Sequence, residues 1–272
     1  AYLEMGDARH KTAAFKTARD RGTTMTVIAV LADPPREGLV LPELPETSPL
    51  STAEATELYA AMLKDTFAAV ENSGGELLVN YRPDDQLPDH EGERSQAQLR
   101  ALANEALDDV GEVRFEEQVG STFAARAGNT ATHLLDREGV QSVAVVEGTA
   151  PTLSRKDVDS AAMKLRRSEV VLGPADAGRT FFLGLKETID FDGAYAEPSV
   201  ETLANRATDA GHDVDFLPRM TAVETGADLL SLVPYLNARV TADRIVPVHT
   251  TTYLHDLGLR VAEQDGEPTL VR

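Results

Sequence analysis

The segment 142–184 constrains the fold of this chain more than any other. Its pattern predicts an apolar strand at 142–146, a tight turn, a polar helix at 154–167, a second strand at 169–172, a glycine-bounded loop and a third strand at 180–184. A short continuous apolar run is typical of a strand buried on both faces, and such strands belong to sheets covered by helices. Because strands and helices alternate along most of the chain, the sequence predicts an α/β fold: a three-layer α/β/α sandwich with a mostly parallel sheet.

Two loops of this segment follow buried strands, at 148–151 and at 173–178. In open sheets of this kind, ligands bind beyond the carboxyl ends of the strands. We therefore expect the two loops to lie side by side and to form the mouth of a pocket.

The chain is strongly acidic. It has 272 residues and a net charge of -19, and only six of its 26 basic residues are lysine. Acidic side chains spread over most predicted helices with little lysine indicate a surface adapted to concentrated salt, where screening removes self-repulsion. An ordinary acidic cytosolic protein is the alternative. Either composition argues against a nucleic-acid partner, whose backbone is also negative.

The composition also bounds the compartment. Cysteine is absent, which excludes disulfides, thiolate nucleophiles and cysteine metal sites. No apolar run approaches the ~20 residues needed to cross a bilayer, and no segment has the pattern of a signal peptide. The sequence therefore predicts a cytoplasmic protein with no membrane partner, and it predicts no oligomeric state.

Three regions are predicted. Residues 1–24 are polar and precede Met25 and a clean strand, which indicates an extension, with an amino-terminal helix as the alternative. Residues 25–240 form the α/β domain. Residues 241–272 form an appendage, with a helix at 246–257 and a hairpin of 259–262 with 269–271 that extends the sheet or covers an edge.

The sequence of 170–178, Val-Val-Leu-Gly-Pro-Ala-Asp-Ala-Gly, precedes an aromatic strand that begins with Phe181 and Phe182. With the strand, turn and helix before it, this motif resembles a glycosyltransferase-A-like family of the nucleotide-diphospho-sugar transferase superfamily. That family is related to enzymes that activate 2-phospholactate with a guanylyl group. The resemblance covers roughly residues 26–235.

The resemblance implies a nucleotide or nucleotide sugar as partner and, in an active enzyme, a divalent cation (Mg²⁺ or Mn²⁺) on its phosphates. In an inactive relative, no cofactor is implied. Glu224 is the best candidate metal ligand, and no catalytic residue is predicted. The nucleotide-binding candidates lie in the first loop and in the two later loops: Pro34, Gly38, Gly148, Thr149, Pro151, Gly173, Pro174, Asp176, Gly178 and Arg179.

Several positions depart from the family pattern. The apolar stretch 40–44 replaces a basic segment that contacts phosphates in the family, and each lost cation removes charge-assisted contacts worth ~1.5–3 kcal/mol. Thr149, Ala177 and Ala222 stand where the family has aspartates. Glu147 lies nearby but is assigned to the end of its strand.

Arg179 has two interpretations. Its planar guanidinium could offer a fixed cation to an anionic ligand. Alternatively, it forms a surface ion pair with Asp176 or Glu187. Asp176 itself could supply a carboxylate to the site or cap its own turn.

Four other residues fall near the predicted site. Arg126 matches an arginine-containing helix of the family, and Ser121 is predicted to be the N-cap of that helix. Tyr195 is either an aromatic residue near the acceptor pocket or a packed tyrosine with a solvated hydroxyl. Asp228 is predicted to stabilise the first turn of a helix.

Two functions follow. The first is a nucleotide-dependent transferase of glycosyl or nucleotidyl groups, with full or reduced activity. The second is a catalytically inactive relative that serves as a binding or regulatory subunit, which the altered positions favour. No Walker, dinucleotide-binding, nucleophile-elbow or zinc-protease motif is present.

Overall fold

The computed structural model describes residues 26–88, 92 and 94–272, so the predicted extension at 1–24 lies outside the described residues. The strands are β1 Val27–Ala32, β2 Glu76–Tyr81, β3 Arg114–Glu117, β4 Val143–Glu147, β5 Val170–Pro174, β6 Thr180–Leu185, β7 Val214–Phe216, β8 Arg260–Gln264 and β9 Glu267–Val271. The α-helices are α1 Leu44–Thr47, α2 Thr52–Glu71, α3 Ser95–Ala106, α4 Phe123–Thr132, α5 Arg155–Lys164, α6 Ser199–Asp209, α7 Gly226–Thr241 and α8 Val248–Asp256.

The main sheet has seven strands in the order β3-β2-β1-β4-β6-β5-β7. All neighbouring pairs are parallel except those of β6, which runs antiparallel to β4 and to β5. The predicted α/β architecture with a mostly parallel sheet is confirmed.

The central strand β1 shows why the sheet needs helices on both faces. All six of its residues are buried. Ile28 and Val30 pack into the core on one face, against α2, whereas Val27 and Ala29 pack into the core on the other face, near α4 and α6. Two-sided burial is what a continuous apolar strand predicts.

The carboxyl-terminal segment forms the predicted helix and hairpin. α8 packs on α2, where the buried carboxylate of Asp65 accepts hydrogen bonds from the amides of His249 and Thr250 at 3.0 and 2.7 Å. β8 and β9 pair only with each other among the described strands and lie against α7. Of the two predicted alternatives, the one in which the hairpin extends the sheet is therefore wrong, because β8 and β9 form a separate two-stranded sheet. The division into domain and appendage stays a prediction.

Gly226 fixes how closely α7 approaches α1. A Cβ atom there would lie 1.9 Å from the carbonyl oxygen of Thr47, and the Gly226 amide donates a 2.8 Å hydrogen bond to the Thr47 hydroxyl. Since a backbone atom cannot give way cheaply, we expect Gly226→Ala to lower the free energy of unfolding by about 1–3 kcal/mol. Urea unfolding followed by circular dichroism measures it.

Gly74→Ala is the matched control for this substitution. An added Cβ there would meet only Asp159, at an ordinary 3.5 Å. Equal stabilities of the two variants would contradict the close approach.

No helix in the described part of the chain is long and apolar enough to cross a membrane.

Candidate functional site

The two loops singled out from the sequence lie at the same edge of the sheet. β4 ends at Glu147, and because β6 is antiparallel, it begins at that edge, with Val146 opposite Phe182. β5 ends there too, with Pro174 opposite Thr180. The parallel strands β1 and β2 also end at this edge. The loops are therefore neighbours, as predicted.

Glu147 is the centre of this edge. It is the last residue of β4 and is half-buried by area. The protein packed around its carboxyl group, together with the negative charge of Glu224, raises the pKa of Glu147 to about 8, against a smaller opposing effect of Arg179. The group is thus mostly protonated at neutral pH but close to its titration midpoint. A carboxyl group in that state can both give and accept a proton.

Two tyrosines are electrostatically coupled to Glu147. Tyr59, on α2, is 6% exposed, and its hydroxyl accepts a 3.1 Å hydrogen bond from the Asp33 amide. Burial, and then the charge of Asp33, raise the pKa of Tyr59 above its ordinary range. Burial, and then the charge of Glu147, likewise raise the pKa of Tyr195. Both phenols stay protonated and can donate hydrogen bonds to a ligand.

A cationic corner lies beside these groups at the ends of β1 and β2. Arg82 binds the Asp33 carboxylate through two hydrogen bonds, of 2.9 and 2.5 Å. Arg126, on α4, lies 5.8 Å from the ring centroid of Phe123, which in turn packs edge-on against Tyr195 at 4.7 Å. The buried Nε of Arg126 has no hydrogen-bond partner among the described residues. Burial, and then Arg82, lower the pKa of Arg126, and Asp33 partly offsets this.

Arg179 joins the second loop to α7. Its Nη1 lies 3.0 Å from Glu224 Oε2, and its Nη2 donates a 2.5 Å hydrogen bond to Asp228 Oδ1. Nη2 also donates to the carbonyl of Ala222, and Nε donates to the carbonyl of Asp176, both at 3.1 Å. The side chain is 12% exposed. Burial raises the pKa of Glu224 despite its pairing with Arg179.

Asp228, the second acid that pairs with Arg179, also accepts hydrogen bonds from the residues that precede α7. Its Oδ2 accepts hydrogen bonds from the amides of Glu224 and Thr225 at 3.0 and 2.9 Å and from the Thr225 hydroxyl at 3.0 Å. These bonds form a capping box at the start of α7. The predicted role of Asp228 in the first turn of a helix is confirmed.

Three predicted nucleotide-binding glycines are places of close packing. A Cβ at Gly148 would lie 2.2 Å from Leu63 Cδ2, and one at Gly173 would lie 2.6 Å from Phe182 Cβ. Gly178 has φ +78°, and a Cβ there would lie 2.8 Å from Pro198. Packing alone accounts for these glycines, and a contact with nucleotide stays a prediction.

The other predicted residues of the β4 loop are Thr149 and Pro151. Pro151 is buried, and the Thr149 carbonyl accepts a 2.8 Å hydrogen bond from the Val223 amide. The Thr149 hydroxyl is buried and has no partner among the described residues. The hydrogen bond between Val223 and Thr149 connects the loop to the segment that carries Glu224.

The first loop is filled by apolar residues. Pro34 is buried, and Gly38 is exposed in a turn with φ +74°. Leu41 and Leu44, from the stretch that replaces the family's basic segment, belong to the hydrophobic core. They face inward and offer no charge to a ligand.

Three local expectations were wrong. Thr122, not Ser121, is the N-cap of α4, because its hydroxyl accepts from the Ala125 amide at 3.1 Å. Arg179 pairs with acids of α7 and the preceding segment, not with Asp176 or Glu187. The carboxylate of Asp176 does not cap its own turn, since it accepts from the Thr221 hydroxyl at 3.0 Å and pairs with Arg219. Pro174, beside it, is half-buried at the end of β5.

Sequence reasoning missed Glu147, Tyr59 and the Asp33–Arg82 pair as parts of this edge. One signal was available: Glu147 directly follows four apolar strand residues and precedes a glycine turn. An acid at the carboxyl end of a buried strand lies where ligands bind in such sheets. Tyr59 gave no such signal, because it falls on the apolar stripe of α2.

The donor set does not fit a divalent metal. No group of three or more acidic or histidine residues in the described ranges could hold one. The Glu224 carboxylate is paired with Arg179, both Asp228 oxygens accept hydrogen bonds, and Thr149 offers only a neutral hydroxyl. Magnesium and manganese favour free carboxylate oxygens. Glu224 as a metal ligand stays a prediction that this pairing opposes.

Comparison with known proteins supports the fold. The family profile described as an uncharacterized protein conserved in bacteria (DUF2064) matches residues 85–195, less than half of the chain. No curated protein matches the sequence. A structure from Desulfovibrio desulfuricans G20, described provisionally as a nucleotide-diphospho-sugar transferase, is 22% identical, with a TM-score of 0.69 over 86% of this chain and 95% of its own. The chain thus has the fold of nucleotide-diphospho-sugar transferases, as the sequence motif predicted.

Two further structures match over most of their length with lower TM-scores. CMP:2-keto-3-deoxy-manno-octonic acid synthetase, solved with CTP, is 12% identical over 79% of this chain and 99% of its own, with a TM-score of 0.46. A protein of Mycobacterium tuberculosis H37Rv, solved with manganese, is 14% identical over 78% and 99%, with a TM-score of 0.42. Because both of these TM-scores lie below 0.5, the fold assignment rests on the Desulfovibrio structure. The link to 2-phospholactate guanylylation stays a prediction.

Proposed function

We propose that this chain is a nucleotide-dependent transferase that binds a nucleotide or nucleotide sugar across the carboxyl ends of β1 and β4 and transfers a glycosyl or nucleotidyl group. One observation carries the proposal. In a fold that resembles that of a nucleotide-diphospho-sugar transferase, a titratable carboxyl group, Glu147, lies at the carboxyl end of the central strand β4 and is electrostatically coupled to two protonated tyrosines.

Arg126 is the candidate contact for the ligand's phosphates. Its Nε lacks a partner among the described residues, so a phosphate oxygen would satisfy it without breaking an existing bond. A guanidinium also matches the geometry of phosphate oxygens. Phe123 and Tyr195, packed edge-to-face beside it, provide an aromatic surface for a base or sugar ring.

Glu147 is the candidate general base. With a pKa of about 8, a minor fraction is ionised at neutral pH, and that fraction is basic enough to accept a proton from an acceptor hydroxyl. Loss of that proton makes the acceptor oxygen a better nucleophile for attack on the donor. The leaving phosphate would be stabilised by the fixed cations of the corner.

Arg126→Ala tests the phosphate contact. We expect nucleotide affinity to fall about 10- to 100-fold, because a charge-assisted hydrogen bond contributes roughly 1.5–3 kcal/mol. Isothermal titration calorimetry with a panel of nucleoside triphosphates and nucleotide sugars, in high salt, measures this. Arg155→Ala is the control, since Arg155 is 69% exposed and pairs only with Asp159 on its own helix. Equal affinities in the two variants would contradict the assignment.

The alternative is a catalytically inactive relative that binds a nucleotide as a regulatory subunit. The occupation of Glu224 by Arg179 and the burial of Leu41 and Leu44 in the first loop favour it. Binding of a nucleotide or nucleotide sugar without turnover, over a panel of hydroxyl and phosphate acceptors, would support this alternative. Turnover that depends on Glu147 would exclude it.

A further inference from the structure

The Arg179 side chain occupies the point where the carboxylates of this edge converge. It comes from the turn before β6, and it reaches Glu224 and Asp228 across the space between the second loop and α7. Four of its contacts are to oxygen atoms: two carboxylates and the carbonyls of Ala222 and Asp176. Such a shell of oxygen atoms is the environment that a hard metal cation otherwise takes.

We propose that Arg179 is a built-in cation that takes the place of a divalent metal at this edge, so that ligand binding does not require one. The proposal rests on the proposed function only in treating this edge as the ligand site. An arginine remains charged at every physiological pH, so the positive charge is permanent and independent of metal supply. It neutralises carboxylates that would otherwise repel an anionic ligand.

The oxygen atoms around Arg179 already accept hydrogen bonds, so they cannot also coordinate a metal while Arg179 is in place. Asp228 Oδ1 accepts from Arg179, and Oδ2 accepts from the amides of Glu224 and Thr225. A metal would have to displace the guanidinium, which is 12% exposed and held on both sides. Displacement would leave a cation buried without partners, which is strongly unfavourable.

The surrounding side chains agree with a single fixed cation. Thr149, at the turn where the resembling family has an aspartate, presents only a hydroxyl. Ala222 presents its carbonyl, not a carboxylate, to Arg179. Neither position therefore adds a carboxylate to those of Glu224 and Asp228.

Removal of Arg179 tests this inference directly. Mn²⁺ binding is measured by electron paramagnetic resonance of the free ion, in concentrated KCl to suppress general binding to the acidic surface. Wild type, Arg179→Met and the double variant Arg179→Met/Glu224→Gln are compared. We expect Arg179→Met to bind Mn²⁺ at least about tenfold more tightly than wild type, because the freed carboxylates supply the oxygen ligands that Mn²⁺ prefers. The double variant is expected to lose this gain.

Two results would overturn the proposal. One is Mn²⁺ binding to wild type that Glu224→Gln abolishes, since the carboxylate would then be free for metal. The other is folded Arg179→Met protein, by circular dichroism, that binds Mn²⁺ no better than wild type.

A second measurement uses the wild type alone, in case Arg179→Met does not fold. Stabilisation by a nucleotide is expected to be the same in EDTA as with Mg²⁺ or Mn²⁺, whereas a requirement for metal would contradict the proposal. If no nucleotide stabilises the chain, the proposed function fails, and Mn²⁺ binding to wild type and to Glu224→Gln still tests the role of Arg179.

Discussion

Replacing Asp228 by alanine is expected to lower the free energy of unfolding by about 3–5 kcal/mol, because it removes the partner of a buried charge. Asp228 is 8% exposed, and its two oxygens accept from the Arg179 guanidinium and from the first turn of α7. The substitution leaves Glu224 as the one carboxylate that pairs with Arg179 among the described residues, and it removes the Asp228 half of the capping box at the start of α7. Loss of a capping interaction by itself costs about 1 kcal/mol.

Urea unfolding at fixed ionic strength measures this loss of stability. The control is Asp190→Ala, since Asp190 is 60% exposed in its pair with Arg206. Exposed pairs of that kind contribute about 1 kcal/mol at most. Asp228→Asn separates charge from shape, because it keeps an oxygen acceptor and should lose less stability than alanine. If Asp228→Ala is no less stable than Asp190→Ala, the cluster around Arg179 does not contribute the expected stability.

Replacing Glu147 by glutamine is expected to reduce the turnover of a transfer reaction about 10²- to 10⁴-fold, the usual contribution of a general base. Glutamine has the same shape but accepts no proton, so nucleotide affinity should change little. A fall in kcat with a nearly unchanged nucleotide Kd is the expected pattern. Comparable losses of kcat and of affinity would instead indicate a binding role.

The same substitution has an expected effect on stability that does not depend on any reaction. The pKa of Glu147 is raised from its ordinary 4.5 to about 8 in the folded state. A carboxyl group with a raised pKa stabilises the fold fully below its unfolded value, and this contribution is lost as the pH rises through the folded value. At roughly 1.4 kcal/mol per unit of pKa, wild type should lose a few kcal/mol relative to Glu147→Gln between about pH 4.5 and pH 8.

Denaturant midpoints across this pH range measure the difference between wild type and Glu147→Gln. Glu71, which is exposed at the end of α2, provides the control Glu71→Gln. The denaturant midpoint of this control should differ from that of wild type by the same amount at every pH. A constant difference between Glu147→Gln and wild type at all pH values would contradict the raised pKa.

The fold could be predicted because its signals are local. Four apolar residues in a row at 143–146 indicate a strand covered on both faces, and the glycines at 148 and 178 mark turns at the edge where this strand ends. The reversal of β6 also had a local signal: only five residues separate Pro174 from Thr180, and a parallel connection needs a dozen or more.

The chemistry of the edge could not be predicted in the same way, because its contacts join residues far apart in the chain. Arg179 meets Asp228 across 49 positions, and Asp33 meets Arg82 across 49 as well. Glu147 has a raised pKa because of what packs around it, and a strand pattern does not reveal that. An arginine and an acid in two separate loops are individually ordinary surface residues until the sheet brings them together.

The antiparallel direction of β6 restricts the length of the loop that carries Arg179. Arg179 precedes its strand, so it is delivered by a short hairpin whose length sets the register of β5 with β6. A slip of one residue there would turn every side chain of β6 to the opposite face of the pleat. An insertion or deletion in the hairpin would therefore separate the guanidinium from Glu224 and Asp228.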